Sequence, residues 1–202
     1  MKKTQSRCSA GFTMVEIVVI LAIITAISAV VLFSFSGLNE GAALNRSVRE
    51  IALAMRRAQN MSLAVTSIST PTGPRVPKAV GIRISLNEPQ RYFIFADFGP
   101  GASGAPDGRW RAGDDVKIGS DVIFPRGIKV TGLECRDSSP PPVYTDCPRI
   151  IHILFTAPEA VLAITGENGN DLGDIINIRF GRPSGADTKT VTVRTSGQIS
   201  IR

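Results

Sequence analysis

From Ile17 to Phe35 the chain reads IVVILAIITAISAVVLFSF, an apolar run whose polar members, Thr25, Ser28 and Ser34, carry no charge. A helix of about 20 such residues crosses the roughly 30 Å hydrocarbon core of a bilayer. Lys2, Lys3 and Arg7 stand ahead of it, and positive flanks stay on the cytoplasmic side, so the remainder of the chain is expected to be exported. A single carboxylate, Glu16, sits at the mouth of the run. An unpaired charge at the bilayer centre costs about 2.5 kcal/mol or more, and ionisable groups in such segments are functional by default. The plainer alternative places Glu16 in the headgroup region of a simple anchor.

An ordinary secretory signal has a shorter apolar stretch, with its small-residue cleavage site after it. Here the small residue, Gly11, comes first, so a cut at that point would leave the apolar helix on the mature chain. The same cut would create an amine at Phe12, a natural cationic partner for Glu16.

The junction Gly11-Phe12-Thr13-Met14-Val15-Glu16, behind its basic leader, resembles the class III leader of type IV pilins and type II secretion pseudopilins. The usual form there is Gly-Phe-Thr-Leu-Ile-Glu. The resemblance implies cleavage after Gly11 by a prepilin peptidase, N-methylation of Phe12, and assembly of the helix into a filament core. In that family Glu16 would pair with the Phe12 amine of a neighbouring subunit and set the register. The resemblance also implies a single-pass protein of the bacterial inner membrane with a periplasmic C-terminal domain, which later joins a pilus or pseudopilus. Its partners would be other pilin or pseudopilin subunits, the peptidase, and the assembly platform of the secretion or pilus machine. The expected organisation is a leader over 1–11, a membrane and filament-core helix over 12–36, an amphipathic continuation and linker over 37–70, and a β-rich domain over 71–202.

The periodicities support that organisation. Between Asn45 and Val65 the apolar positions Val48, Ile51, Ala52, Met55, Ala58 and Val65 recur at mostly three- and four-residue spacing, with Arg49, Arg56, Arg57 and Asn60 on the other side. This predicts a helix laid on a sheet, with charges that are solvated or, as the alternative, contact DNA or a neighbouring subunit. The helix is expected to continue from the apolar run, with Gly37 and Gly41, weak helix formers, as places that allow a bend or local melting between the two halves. Beyond Thr70, short alternating runs punctuated by Gly, Pro, Asn and Asp predict strands at Ala79–Leu86, Gln90–Asp97, Gly127–Thr131, Arg149–Thr156, Ala160–Ile164, Asp174–Phe180, Thr188–Thr195 and Gln198–Arg202. The fold class is therefore α+β, a long N-terminal helix packed on an antiparallel sheet.

The stretches Met55-Arg56-Arg57-Ala58-Gln59, Tyr92-Phe93-Ile94-Phe95-Ala96-Asp97 and Thr195-Ser196-Gly197-Gln198-Ile199-Ser200 resemble minor pseudopilins of the GspH/FimT type. Members of that group implicated in DNA uptake carry a Gly-Arg-x-Arg pattern near the C-terminus. The corresponding Gly197-Gln198-Ile199-Ser200-Ile201-Arg202 lacks the first arginine, so nucleic acid is the second choice of partner, with Arg194 and Arg202 as its possible contacts. The net charge of +6 falls to +3 without the leader's three cations, too mild to imply nucleic acid by itself.

Cys8 lies in the leader, which leaves Cys135 and Cys147 as an even pair around a proline-rich segment. In an oxidising compartment they are expected to form a disulfide worth about 3 kcal/mol. A zinc site is the competitor, yet two cysteines and His152 do not complete a ligand set. The loop Asp97–Asp115 holds Asp97, Asp107, Asp114 and Asp115, oxygen ligands that suit calcium, although its spacing is not that of an EF-hand and such residues also build turns. The acidic stretch Glu167–Asp174 reads in the same two ways. No cofactor is required. Trp110, the only tryptophan, either anchors a subunit contact or covers the sheet. Enzymatic function is not expected, since one histidine, no Gly-x-Ser-x-Gly elbow and no phosphate loop leave a reaction without its parts.

Overall fold

The computed structural model describes residues 11–100, 105–136, 144–182, 185 and 187–202. The leader residues 1–10, part of the Asp97–Asp115 loop and most of the proline-rich segment lie outside them. The chain divides into two compact units, Met1–Asn39 and Glu40–Arg202. Helix α1, Met14–Leu63, begins in the first and ends in the second.

In the first unit α1 starts where the apolar run predicts it. Met14–Val31 is long and apolar enough to cross a membrane, and no part of it is buried within the protein. Thr13 caps this end, because its Oγ1 accepts the Glu16 N–H at 3.3 Å and satisfies one of the amides that a helix leaves open. Farther along, Thr25 returns its hydroxyl proton to the carbonyls of Leu21 and Ala22, so this polar residue presents no free donor to its surroundings.

In the second unit α1 buries Leu44, Val48, Ile51, Met55, Ala58 and Ser62, a stripe at alternating four- and three-residue steps, with Ser47 beside it. The expected core positions hold except Val65, which lies beyond the helix and is 44 % exposed. Its place is explained by the helix stop. Thr66 N–H donates to the Met61 carbonyl and Val65 N–H to the Ser62 carbonyl, the two bonds of a Schellman ending, with Val65 in the left-handed position at φ 48°. Ser62 also donates to the Phe155 carbonyl at 2.8 Å, tying the last turn to the domain.

Local melting at Gly37 and Gly41 does not occur: α1 is helical through both. Gly41 serves close approach instead. A Cβ there would stand 2.8 Å from a guanidinium nitrogen of Arg182, which lies against the helix and pairs with Asp187.

The β region forms a hairpin and two five-stranded antiparallel sheets, where one sheet was expected. The hairpin is β1, Ile68–Thr70, with β2, Gly73–Arg75. The first sheet contains β3 (Ala79–Ser85), β4 (Arg91–Asp97), β5 (Val116–Ile123), β8 (Ile150–Thr156) and β9 (Val161–Gly166), in the order β5-β4-β3-β8-β9. The second contains β6 (Lys129–Arg136), β7 (Tyr144–Asp146), β10 (Ile175–Gly181), β11 (Thr188–Arg194) and β12 (Ile199–Ile201), in the order β12-β11-β10-β6-β7. Gly127 belongs to a short 3-10 turn, Pro125–Gly127, so β6 starts later and runs farther than expected.

The helix stripe and one face of each sheet share a single core, with Ile82, Ile94 and Ile153 from the first sheet and Leu133, Ile178 and Val193 from the second. The opposite face of the first sheet is closed too, over Ala79, Phe93, Phe95 and Leu154. Gly81 sits on that face between two large neighbours; a Cβ would come within 2.7 Å of the Phe95 ring and 3.3 Å of Leu154. The second sheet covers one face only.

Cys135 at the end of β6 is joined to Cys147 just after β7, as expected. It fastens a three-residue edge strand to its neighbour and closes a loop of 12-residue separation. Reduction should therefore lower the stability of the exported unit by about 3 kcal/mol, measured as a shift of its denaturant midpoint with and without reductant. At the helix stop, Val65→Gly should raise stability by about 1 kcal/mol, since glycine adopts the left-handed conformation without the β-carbon clash. An unchanged or lower midpoint would show that the Val65 side chain repays its backbone cost.

Candidate functional site

The N-terminal junction is assembled from very few residues. Gly11 and Phe12 precede the helix in non-helical backbone; Gly11 has open space around it and Phe12 is 73 % exposed. The bond between them is thus reachable and not held in a helix, the form in which proteases take their substrates. Thr13-x-x-Glu16 has the spacing of a capping box, and the half in which the threonine oxygen accepts the glutamate amide is formed. Among the described residues the Glu16 carboxylate itself has no hydrogen-bond or ion-pair partner. It stands in the first turn, where the helix dipole favours negative charge, and is open to a cation from outside the chain. Thr13 is the functional residue that the sequence reading passed over, although the Thr-x-x-Glu signature spelled it out.

The carboxylates of the acidic loop after β4 bond largely to the loop itself. Asp97 is fully buried; one of its carboxylate oxygens accepts the Gly99 N–H at 2.8 Å and the other the Gly108 N–H at 3.3 Å. Asp115 accepts from Phe98 N–H at 3.2 Å and Arg111 N–H at 2.7 Å. Asp107 pairs with Arg109 and Arg111. Asp114 is exposed in the turn before β5. Three of the four calcium candidates are therefore spent on folding the loop back over the first sheet, and no group of three metal-binding side chains forms among the described residues. In the second acidic stretch Asp171 accepts the Gly173 N–H at 3.0 Å, again a turn contact.

What the loop carries onto the sheet is Trp110. Its ring meets Phe93 and Phe95 edge-on, with centroids 5.2 and 5.6 Å away, so the tryptophan covers the sheet. Lys117 lies 4.2 Å from the Phe93 centroid and Arg83 5.6 Å, a cation–π layer at the rim. His152 is buried beside Phe95 and its Nδ1 lies 3.2 Å from the Gly166 carbonyl; burial pulls its pKa down to about 4, so it is a neutral core residue.

The arginines offered for nucleic acid are not brought together at one point. Arg194 ends β11, where its N–H donates to the Gln198 carbonyl, and Arg202 lies opposite Thr190. Four residues of strand separate the two, about 14 Å. Arg179 is paired with Glu134, and Arg182 with Asp187. Lys189 lies in register with the buried Phe180.

Burial pushes Asp97 from the ordinary carboxylate value of 3.8 up to about 7, with the neighbouring Asp115 and Asp107 adding to the rise, and burial moves Asp115 the same way. Between those two values the folded form holds more protons than the unfolded one, so stability falls as pH rises from about 4 to 7. The melting temperature of the exported unit should decline over that interval, and Asp97→Asn should flatten the decline, leaving the part due to Asp115. A profile with the same slope in the variant would remove Asp97 as its source.

Compared with known protein families, with curated proteins and with solved structures, the chain matches none. The architecture is nonetheless pilin-like: an N-terminal apolar helix followed by antiparallel sheets, with a disulfide that fits a membrane-anchored, extracytoplasmic domain.

Proposed function

We propose that this chain is a minor pilin or pseudopilin, a structural subunit of a type II secretion pseudopilus or a type IV pilus. The observation that carries the reading is the combination at the N-terminus: a fully uncovered apolar helix, an uncommitted carboxylate in its first turn, and an exposed Gly11-Phe12 bond immediately before it. An apolar surface of that extent needs lipid or protein around it, because each buried methylene contributes about 0.8 kcal/mol. A bilayer supplies that cover first and neighbouring helices supply it in a filament. Glu16 makes the transfer specific. Removal of the leader at Gly11 frees the Phe12 amine, and the Glu16 of the adjacent subunit is the charge that compensates it as both leave the membrane. The GspH/FimT type of minor pseudopilin is the closest fit to the sequence features, and the domain formed by Glu40–Arg202 would provide the outward surface of the assembly.

The test is intact mass and N-terminal sequencing of protein from membranes of cells with and without a prepilin peptidase. The expected product is a peptidase-dependent chain that starts at N-methylated Phe12. Glu16→Gln should still insert in the membrane and still be cut, yet lose cross-linking to neighbouring subunits. A Met1 start in both strains would replace the filament subunit with a plain membrane-anchored domain.

A further inference from the structure

The second sheet has an outward face that the core does not use, and one notch in it is lined by two arginines. Ile175, the first residue of β10, lies in register with Arg136 of β6 on one side and Arg194 of β11 on the other. Directly opposed residues of antiparallel strands point to the same face, and Ile176 faces the core, so this row faces outward. Two strand spacings put the arginine Cα atoms about 10 Å apart, within the combined reach of two guanidinium groups that close on one small ion. Ile175 between them is 4 % exposed although it lies on the outer face.

The row floors a cavity of about 460 Å³ lined by Arg136, Asp174, Ile175, Arg194, Thr195 and Ser196. Neither Arg136 nor Arg194 has an ion-pair partner among the described residues, in contrast to Arg179 on the same face, which is paired with Glu134. The Thr195 and Ser196 hydroxyls add donors at the rim.

Charge selects the occupant. Two guanidinium groups against the Asp174 carboxylate leave one net positive charge in the notch, which a carboxylate balances and a phosphate dianion exceeds. A long polyanion laid along the face would also meet Glu134 and Asp146, which oppose each other on β6 and β7. We infer that the Arg136–Arg194 notch is a docking point for a single carboxylate of an acidic segment on a partner protein, held by charge-assisted hydrogen bonds from both arginines. The inference is independent of the filament reading, since the same notch would serve a plain anchored domain.

The test uses the full chain in nonionic detergent with arginine labelled for side-chain NMR, each Nε–H signal assigned by its Arg→Gln variant. Sodium acetate replaces chloride at constant ionic strength. The expected result is a saturable shift of the Arg136 and Arg194 signals together, with Arg179 and Arg202 unmoved, and loss of the Arg194 response in Arg136→Gln. Near-ultraviolet circular dichroism of that variant must match the parent, so that a lost response cannot come from unfolding; Arg194→Gln provides the reciprocal measurement if it does not. Shifts of every arginine in proportion to acetate, or of none, would overturn the notch. Inorganic phosphate that saturates the pair about tenfold more tightly than acetate would overturn the choice of carboxylate. A single-stranded oligonucleotide that moves all four arginines together would make the whole face a polyanion surface and overturn the single-carboxylate site.

Discussion

The domain depends on one shared core. The helix stripe from Leu44 to Ala58 meets the inner faces of both sheets in a single apolar cluster, and only the first sheet has a second, smaller cluster on its opposite face. The ends of the stripe are tied by specific contacts. Near its start, Gly41 gives way to the Arg182 side chain, and in its last turn Ser62 holds the Phe155 carbonyl. A residue larger than glycine at position 41 would push against a guanidinium whose Nε is buried with no hydrogen-bond partner among the described residues. The contact falls on the far end of a long side chain, so the guanidinium would have to swing aside and give up its present packing.

Much of this was legible in the sequence because the helix and the central strands obey their periods. Val48, Ile51, Met55 and Ala58 sit where a 3.6-residue period puts them. Strands β3, β4, β8, β10 and β11 lie within a residue or two of where apolar runs between turn residues predict them. The failures have physical causes. Strand β5 reads Val-Lys-Ile-Gly-Ser-Asp-Val-Ile, and its central Gly-Ser-Asp looks like a turn; it is an edge strand with a register irregularity against β4, where such residues are tolerated. Strand β7 has three residues and follows a proline-rich segment, so the disulfide and its partner β6 define it more than its own propensity does. The second sheet was missed because pattern gives faces, not partners: an apolar alternation does not say which neighbours a strand will choose.

The candidate site divides in the same way. Gly11, Phe12, Glu16 and the cysteine pair announce themselves by local pattern. The role of the aspartates does not, because it depends on tertiary contacts. Asp97 ends a strand and Asp115 lies far along the chain, yet both turn their oxygens to backbone amides of the same loop. Counting carboxylates left a cation site and ordinary turn chemistry side by side, and the geometry shows the aspartates supplying hydrogen bonds that a tight, Gly-rich loop cannot supply to itself. Placing Trp110 over Phe93 and Phe95 is the return for burying these charges.

The two sheets differ in how many faces they bury, and this separates what can change from what cannot. On β3 and β4 the outward Ala79, Phe93 and Phe95 lie in the aromatic layer under Trp110, so a substitution there disturbs packing. On β10, β11 and β12 the outward positions, Asn177, Arg179, Thr190, Thr192, Ser200 and Arg202 among them, alternate with core residues and take no part in the shared cluster. Side chains on that face can change while the scaffold beneath keeps its shape, with the hydrogen-bonded Asn177 and Thr192 changing together.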